Sequence, residues 1–195
     1  MQLKVDGVQA TGLVSSPIPD AAITEVAELW PNGLVGQEDS GWDWTALVRQ
    51  HPNGTNWRQF QLTAAEHVQG LLIVRSSRTM RSPANTETSG AYMEYVATAP
   101  WNRLDEQGRR IDTRFARVVP VGRLLVGVAI RLSRELGWDG RLGWHSKAGA
   151  EKWYKEALPG VWAGGPDLEE DGFEYFEISS DVATTYLAGI SGSLE

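Results

Sequence analysis

The residues best placed to bind a ligand lie in a turn between a predicted strand and a predicted helix. Arg117 and Arg123 flank this turn, and Gly122 inside it permits a close approach to the backbone. A helix that starts here directs its unpaired backbone amides and the positive end of its dipole toward an anion. The turn is therefore a candidate anion site. An ordinary connection between a strand and a helix has the same pattern, and spacing alone does not separate the two.

Periodicity places this turn between well-defined elements. Apolar residues recur at helical spacing from Gly122 to Leu136, and Gly137 follows where a left-handed C-cap belongs. A strand is predicted at 91–98, before the turn. After Gly137 the pattern predicts a strand at 141–144, a helix at 148–158, a strand at 173–178 and a short helix at 182–190.

The first half of the chain is patterned less regularly. Residues 75–89 are predicted to form a long exposed loop, and the arginine-rich stretch 101–117 an insertion or mobile loop near the site. Two capped helices in the second half argue against a lectin-like all-β domain and favour an α+β fold with a mixed sheet. The elements expected upstream are a strand at 9–14, a helix at 21–30 with Asp20 as its N-cap, a weaker helix at 42–50, and strands near 57–62 and 71–74.

Composition narrows the function classes. The chain has 195 residues, which suits a single domain, and no cysteine, which excludes disulfides, cysteine–zinc sites and thiol nucleophiles. Eighteen Lys and Arg against 25 Asp and Glu give a net charge of −7, which argues against nucleic acid as a partner. No apolar run is long enough for a membrane span, and residues 1–10 contain no signal segment. We therefore expect a cytoplasmic protein without a membrane partner.

Common catalytic and metal motifs do not occur in the sequence. It has no P-loop, no Gly-x-Ser-x-Gly elbow and no calcium-loop spacing in the acidic run 169–171. The glycines at 137, 140 and 143 follow a helix instead of preceding one, so they form no dinucleotide fingerprint. His51, His67 and His145 lack the spacing of metal ligands, and no metal site is predicted.

The span 91–158 resembles the core of the GNAT N-acetyltransferase superfamily. Members carry a strand, a pyrophosphate loop of pattern Gln/Arg-x-x-Gly-x-Gly/Ala, a helix, a strand, and a helix with an Ala-x-x-Phe-Tyr motif. This chain has, in that order, AYMEYVATAPWNR, RVVPVG, RLLVGVAIRLSRELG, RLGWHS and AGAEKWYKEAL. The C-terminal GPDLEEDGFEYFEIS extends the similarity toward a bacterial subgroup with an insertion after the APWN segment. The resemblance covers roughly the last two thirds of the chain.

The resemblance implies a fold and a domain plan. The fold would be an α+β acyltransferase fold with a central, mostly antiparallel sheet flanked by helices. Residues 1–195 would form one GNAT-like domain. Within it, residues 1–90 would be the variable N-terminal half, 91–160 the cofactor-binding core, and 161–195 a C-terminal strand and short helix.

The activity implied is direct transfer of an acetyl group from acetyl-CoA to a primary amine. Glu94 would be the general base, and Tyr154 the donor to the leaving thiolate. A backbone amide at Val96 or Ala97 would polarise the thioester carbonyl. The simpler interpretations are that Glu94 lies on the solvent face of an amphipathic strand and that Tyr154 is a core aromatic. The residues expected to bind the CoA pyrophosphate are Arg117, Val121, Gly122, Arg123 and Leu124, the last four through their backbone amides.

One departure from the family pattern leaves other functions open. Pro120 stands where the loop usually has its first Gly, and it provides no N–H to a phosphate, although proline fits the first turn of a helix. The alternative function is a catalytically inactive acyltransferase-like protein that binds a partner. A narrower alternative is a toxin-type acetyltransferase acting on aminoacyl-tRNA, which the net charge disfavours despite the arginines of 103–123. Trp101 and Asn102 would line the acceptor side. The acceptor itself, a small molecule or a protein amine, is not specified, and the sequence is compatible with a homodimer.

Overall fold

The computed structural model describes residues 1–31, 37–83, 88–105 and 107–194. This part of the chain contains ten strands, five α-helices and short 3₁₀ turns. The strands are β1 (Gln2–Val5), β2 (Val8–Thr11), β3 (Leu13–Ser15), β4 (Trp57–Ala64), β5 (His67–Thr79), β6 (Ser89–Thr98), β7 (Val118–Val119), β8 (Leu142–Ser146), β9 (Trp162–Asp167) and β10 (Phe173–Ile178). The helices are α1 (Asp20–Leu29), α2 (Trp44–Gln50), α3 (Val121–Glu135), α4 (Ala148–Ala157) and α5 (Ser180–Leu194).

The strands form two sheets. A small sheet has the order β2-β1-β7, and the large sheet has the order β3-β4-β5-β6-β8-β10-β9. In the large sheet β6 and β8 run parallel, whereas β3–β4, β8–β10 and β9–β10 are antiparallel. The prediction of an α+β fold with a mixed, mostly antiparallel sheet and flanking helices is confirmed.

The chain divides into two compact units. The N-terminal unit comprises Met1–Ile73, Tyr95–Leu125 and Gly192–Glu195, and the C-terminal unit comprises Val74–Glu94 and Val126–Ser191. The long strands β5 and β6 and the helix α3 contribute residues to both units. The plan of one domain in three sequential segments stays a prediction.

Tryptophan fills the core of the N-terminal unit. Trp30 is the C-cap of α1, and its indole meets Trp44 of α2 edge to face with ring centroids 6.5 Å apart. Trp101 is fully buried in the same cluster. Burial of such large rings contributes most of the apolar area that holds a small core together. The high Trp content therefore has a structural use in this unit.

The core of the C-terminal unit lies on one face of its strands. Trp144 of β8 stacks on Phe176 of β10 with centroids 5.6 Å apart, and Tyr154 of α4 packs on Trp144 at 4.9 Å. Because side chains alternate along a strand, residues on either side of Trp144 face away from α4. These residues are Gly143 and His145.

Several elements differ from the predictions, and strands β1 and β7 were not predicted. Strand β5 continues to Thr79, so residues 75–79 are not part of a loop. Strand β9 was not predicted, because its sequence WAGGPD has neither apolar alternation nor β-branched residues. The N-terminal strand expected at 9–14 is split into β2 and β3.

The start of α1 also differs from the prediction. Asp20 is the first residue of the helix, and Pro19 occupies the N-cap position without a side-chain hydrogen bond. An acidic residue in the first turn still interacts favourably with the helix dipole. Helix α2 begins at Trp44, two residues later than predicted, and Asp43 is its N-cap, because the Asp43 carboxylate accepts from the amide of Ala46 at 3.1 Å.

Candidate functional site

The turn before α3 is fixed by the small sheet. Strand β7 pairs with β1, and the backbone of Arg117 is held from both sides by Asp6. The Arg117 amide donates to the Asp6 carboxylate at 2.8 Å, and its carbonyl accepts from the Asp6 amide at 2.8 Å. The Arg117 Nε is buried and has no hydrogen-bond partner among the described residues. A buried donor without an acceptor is costly, and an anion would satisfy it.

The first turn of α3 offers fewer amides than the sequence predicts. The Leu124 amide donates to the carbonyl of Pro120 at 3.1 Å, as the first bond of the helix. The expectation that the Leu124 amide binds phosphate is therefore wrong. Helix geometry leaves the amides of Val121 and Gly122 without an intrahelical acceptor, and Pro120 has none to offer. The residues that fit a pyrophosphate here are Arg117, Val121, Gly122 and the exposed Arg123.

Gly70 lets β5, β6 and α3 approach one another closely within the N-terminal unit. A Cβ at position 70 would lie 2.7 Å from the Leu125 Cδ1, 2.9 Å from the Val121 Cγ1 and 3.1 Å from the Ala97 carbonyl oxygen. Two of these atoms belong to the first turns of α3, and the third belongs to the backbone of β6. The position of the helix start thus depends on the absence of a side chain at residue 70.

The β6 backbone distinguishes between the two candidate amides. Ala99 donates its amide to Gln69 of β5 at 2.9 Å, so Ala97, two residues earlier, faces β5 as well. Val96 then faces the other side of β6. On that side the register with β8 ends at Met93 paired with Trp144. Of the two predicted amides, Val96 is therefore the one that does not face β5.

The two predicted catalytic side chains lie on different faces of the sheet. Glu94 is half-buried on β6, and its charge acts on Tyr92 and Arg78. Tyr154 lies on α4 against Trp144, on the opposite face. Burial alone raises the pKa of Tyr154, which keeps its hydroxyl protonated and able to donate. The structure does not bring Glu94 and Tyr154 into a shared cluster.

A chain of polar side chains on the Glu94 face was not predicted. The Tyr92 hydroxyl lies 2.5 Å from the His145 Nδ1, and the His145 Nε2 lies 2.9 Å from the Asp167 Oδ2. Asp167 also pairs with Arg81. The three residues are 53 and 22 positions apart in sequence, so spacing gave no sign of the cluster.

Nearby charges and burial fix the protonation states of Tyr92, His145 and Asp167. The Arg81 guanidinium lowers the pKa of Asp167 to about 2, so the carboxylate is ionised at neutral pH. Burial lowers the pKa of His145, and the hydrogen bond to Asp167 opposes this only in part. Burial likewise raises the pKa of Tyr92, against the nearby Arg78 guanidinium, which lies 4.3 Å from the ring centroid. At neutral pH, Tyr92 is therefore a neutral phenol, His145 a neutral imidazole and Asp167 an ionised carboxylate.

A second buried cluster in the same unit is fully bonded and structural. The Glu177 side chain is completely buried and accepts from the Ser82 hydroxyl at 2.6 Å, the Tyr175 hydroxyl at 2.8 Å and the Ser82 and Arg81 amides. With its donors fixed, this carboxylate anchors the chain after β5 onto β10.

Four of the five arginines in the stretch 101–117 pair with carboxylates, and Arg117 makes no such pair with the described residues. Arg103 makes two bonds of 2.7 Å to Asp39, and Arg109 and Arg114 pair with aspartates two to four residues away. Trp101 is fully buried, and its indole N–H donates to Gln69 at 2.9 Å. The expectation that Trp101 lines an acceptor pocket is therefore wrong, because the ring is a core side chain.

One open cleft of about 500 Å³ lies in the C-terminal unit. Two of its arginines, Arg78 and Arg81, lie over the rings of Tyr92 and Tyr175, and pair with Glu170 and Asp167. The cleft is thus polar and mixed in charge. Its lining residues are Arg75, Ser77, Arg78, Thr79, Arg81 and Ser89.

Known structures share this fold. A GNAT-family protein of Desulfovibrio desulfuricans, described as a candidate acetyltransferase, aligns over 87% of this chain and 99% of its own, with a TM-score of 0.56 and 13% identity. The fold is that of the GNAT acetyltransferases. FeeM, an N-acyl amino acid synthase from uncultured soil microbes, aligns over 93% and 97% with a TM-score of 0.56 and 10% identity. Escherichia coli ElaA aligns over 86% and 97% with a TM-score of 0.51 and 11% identity.

Comparison of the sequence alone identifies no family. No protein-family model matches the chain, and no curated protein matches it. Within the described ranges, no helix is long and apolar enough to cross a membrane. Over the same ranges, no three side chains of the His, Cys, Asp or Glu type come together as metal ligands.

Proposed function

We propose that this protein is an N-acetyltransferase that moves the acetyl group of acetyl-CoA directly to a primary amine. The observation that carries the proposal is the start of α3, where the amides of Val121 and Gly122 lie a few residues after the unpartnered Nε of Arg117. An anion bound there would satisfy all three donors. The fold, which known acetyltransferases share, supports the same assignment.

The remaining groups would act at the reacting centre. The Val96 amide would stabilise the negative charge that develops on the thioester oxygen. Glu94 would accept the proton of the amine, directly or through water. The register of β6 with β8 ends at Met93 and Trp144, and a thioester held there would be reached from both faces of the sheet. Tyr154, which burial keeps protonated, would donate to the leaving thiolate from the face opposite to Glu94. The acceptor is proposed to be a small-molecule or protein amine.

Release of free CoA tests the proposal. Purified protein is incubated with acetyl-CoA and a panel of primary amines comprising an alkylamine, an arylalkylamine, a polyamine, an aminoglycoside, an amino acid and a peptide. We expect amine-dependent CoA release with at least one of them, lowered by Tyr154→Phe. The matched control is Tyr186→Phe on α5, which removes another buried phenol hydroxyl. Absence of CoA release with every amine would refute the proposal.

A second function rests on Pro120, which removes one donor from the turn. If phosphate binding is lost there, the chain is an acyltransferase-like protein that binds a partner without catalysis. Capture of a partner in the absence of acetyl-CoA, together with no turnover, would favour this alternative. Measured turnover would exclude it.

A further inference from the structure

We propose that Tyr92, His145 and Asp167 form a proton relay that receives, through Glu94, the proton that the acceptor amine loses. The inference rests on the proposed acetyl transfer and assigns a role to residues that the proposed function leaves unused. It makes Glu94 the catalytic base and the three relay residues its positioning and proton-receiving groups.

Hydrogen-bond chemistry fixes the direction of the relay. An ionised carboxylate only accepts, so His145 carries its proton on Nε2 and donates it to Asp167. The Nδ1 lone pair is then left to accept from the Tyr92 hydroxyl. This order of hydroxyl, imidazole and carboxylate is the order in which a base and its orienting acid are arranged in proton-transfer sites. One tautomer is fixed, and its basic nitrogen faces the phenol.

The relay lies at the end of the paired stretch of β6 and β8. Tyr92 precedes the last registered residue of β6, Met93, and His145 follows the last registered residue of β8, Trp144. Glu94 is two residues after Tyr92 and so shares its face of β6. The Glu94 charge acts on Tyr92, which places the proposed base within electrostatic range of the relay.

The surroundings keep the imidazole ready to accept a proton. The His145 side chain is 6% exposed and Tyr92 is 4% exposed, so both are shielded from bulk water. A charge formed on the imidazole would be balanced by Asp167, which Arg81 keeps ionised. The charged and titratable groups around this imidazole are Tyr92 of β6, Arg78 of β5, Asp167 at the end of β9, Glu170 after it, and Tyr175 of β10. Arg81 acts on it through Asp167, and Glu94 acts through Tyr92.

The proton balance closes at each step. The amine nitrogen attacks the thioester carbonyl, the C–N bond forms and the amine proton passes to the Glu94 carboxylate. Glu94 gives this proton to the Tyr92 oxygen as the Tyr92 proton moves to the His145 Nδ1, which becomes imidazolium. The C–S bond breaks, and the thiolate takes a proton from Tyr154 or water. The imidazolium then returns its proton through Tyr92 and Glu94 to solvent, and solvent replaces the proton that Tyr154 or water gave up, so that the enzyme is restored.

A purely structural function is the rival explanation, because the same bonds tie β6 to β8. His145→Gln separates the two. The Gln amide nitrogen can donate to Asp167 and its oxygen can accept from Tyr92, but it takes up no proton. The matched control is His67→Gln, because His67 also pairs with a carboxylate, its Nδ1 lying 3.2 Å from the Glu25 Oε1.

The experiment measures kcat/KM against pH with acetyl-CoA and the fastest amine of the panel. The ratio of wild type to His145→Gln is taken at each pH, so that ionisation of the amine cancels. We expect a ratio of about 100 at neutral pH, the lower range for loss of proton transfer. The ratio should fall toward one below pH 6.5, as His145 becomes protonated in the wild type. The control variant should give a ratio near one throughout.

The outcomes separate the two proposals. A wild type that turns over while His145→Gln matches it at every pH overturns the relay and leaves the acetyltransferase intact. A constant ratio without pH dependence also overturns the relay, because it reports a structural loss. A wild type without turnover overturns both. Nitrogen NMR of the imidazole gives an independent readout, and protonation of Nδ1 instead of Nε2 at neutral pH would overturn the relay.

Discussion

Replacing Gly70 with alanine should move the start of α3. The added Cβ would lie 2.7 Å from Leu125, 2.9 Å from Val121 and 3.1 Å from the Ala97 carbonyl oxygen. The first two contacts involve side-chain ends that can turn away, whereas the third involves the backbone of β6. Overpacking of this kind costs about 1–3 kcal/mol. Alanine also lowers the conformational entropy of the unfolded protein, which stabilises the folded state by about 0.4–1 kcal/mol. We therefore expect a net loss, and weaker acetyl-CoA binding because Val121 shifts.

Gly189→Ala provides the matched control. Gly189 is exposed on α5, and a Cβ there would meet nothing within 4 Å. Alanine at this position therefore only stabilises the protein, through lower entropy of the unfolded state and higher helix propensity. The difference between the two variants combines the contact cost at Gly70 with the helical gain at Gly189. The contact cost of about 1–3 kcal/mol alone corresponds to about 2–12 °C in melting temperature for a chain of this size. Urea unfolding and thermal melts measure it. Equal stability of the two variants would contradict the close packing of Gly70 against α3 and β6.

Three further predictions concern single interactions. Gln69→Leu should cost about 2–4 kcal/mol in the free energy of unfolding, because Trp101 and Asn102 would lose the buried oxygen to which both donate at 2.9 Å; a change below about 0.5 kcal/mol in urea unfolding would contradict this. Asp167 has a folded-state pKa of about 2, below its unfolded value near 3.9. Its ionised form therefore stabilises the fold above pH 3.9, and this stabilisation is lost as the pH falls through 2. The difference in free energy of unfolding between the wild type and Asp167→Asn should shrink from pH 5 to pH 2, and a constant difference would contradict this. Asp43→Ala should cost about 1 kcal/mol through loss of the α2 cap, measured by thermal unfolding, with no loss arguing against the cap.

Much of the fold follows from local pattern. Helices α3 and α4 and strand β10 carry clear periodicity, and the left-handed Gly137 after α3, with φ of 83°, is as predicted. The end of β5 was read as a loop because its sequence RSSRT is polar. Three of those five residues are exposed, so nothing in the apolar pattern marks them. Strand β9 forms by pairing with β10, a tertiary cause that local propensity does not contain.

The site was predictable only where chemistry is local in sequence. The Arg117 to Gly122 turn is a contiguous segment, so its residues and their role as donors could be derived together. The Leu124 amide could not be assigned, because the first residue of a helix is not fixed by composition. The Tyr92–His145–Asp167 chain joins three strands, and only the parallel register of β6 and β8 brings the first two together. Once that register is known, the alternation of side chains along each strand places Tyr92 and His145 on the same face of the sheet.

Calorimetric titration of acetyl-CoA into the wild type, Gly122→Glu and Gly189→Glu tests most directly whether the start of α3 binds the cofactor. The first substitution places a negative charge at the start of α3, and the second places the same charge on the exposed side of α5. We predict micromolar binding to the wild type, loss of binding in Gly122→Glu and unchanged binding in Gly189→Glu. No binding to the wild type, or equal binding to the wild type and Gly122→Glu, would contradict the claim that the start of α3 holds the cofactor.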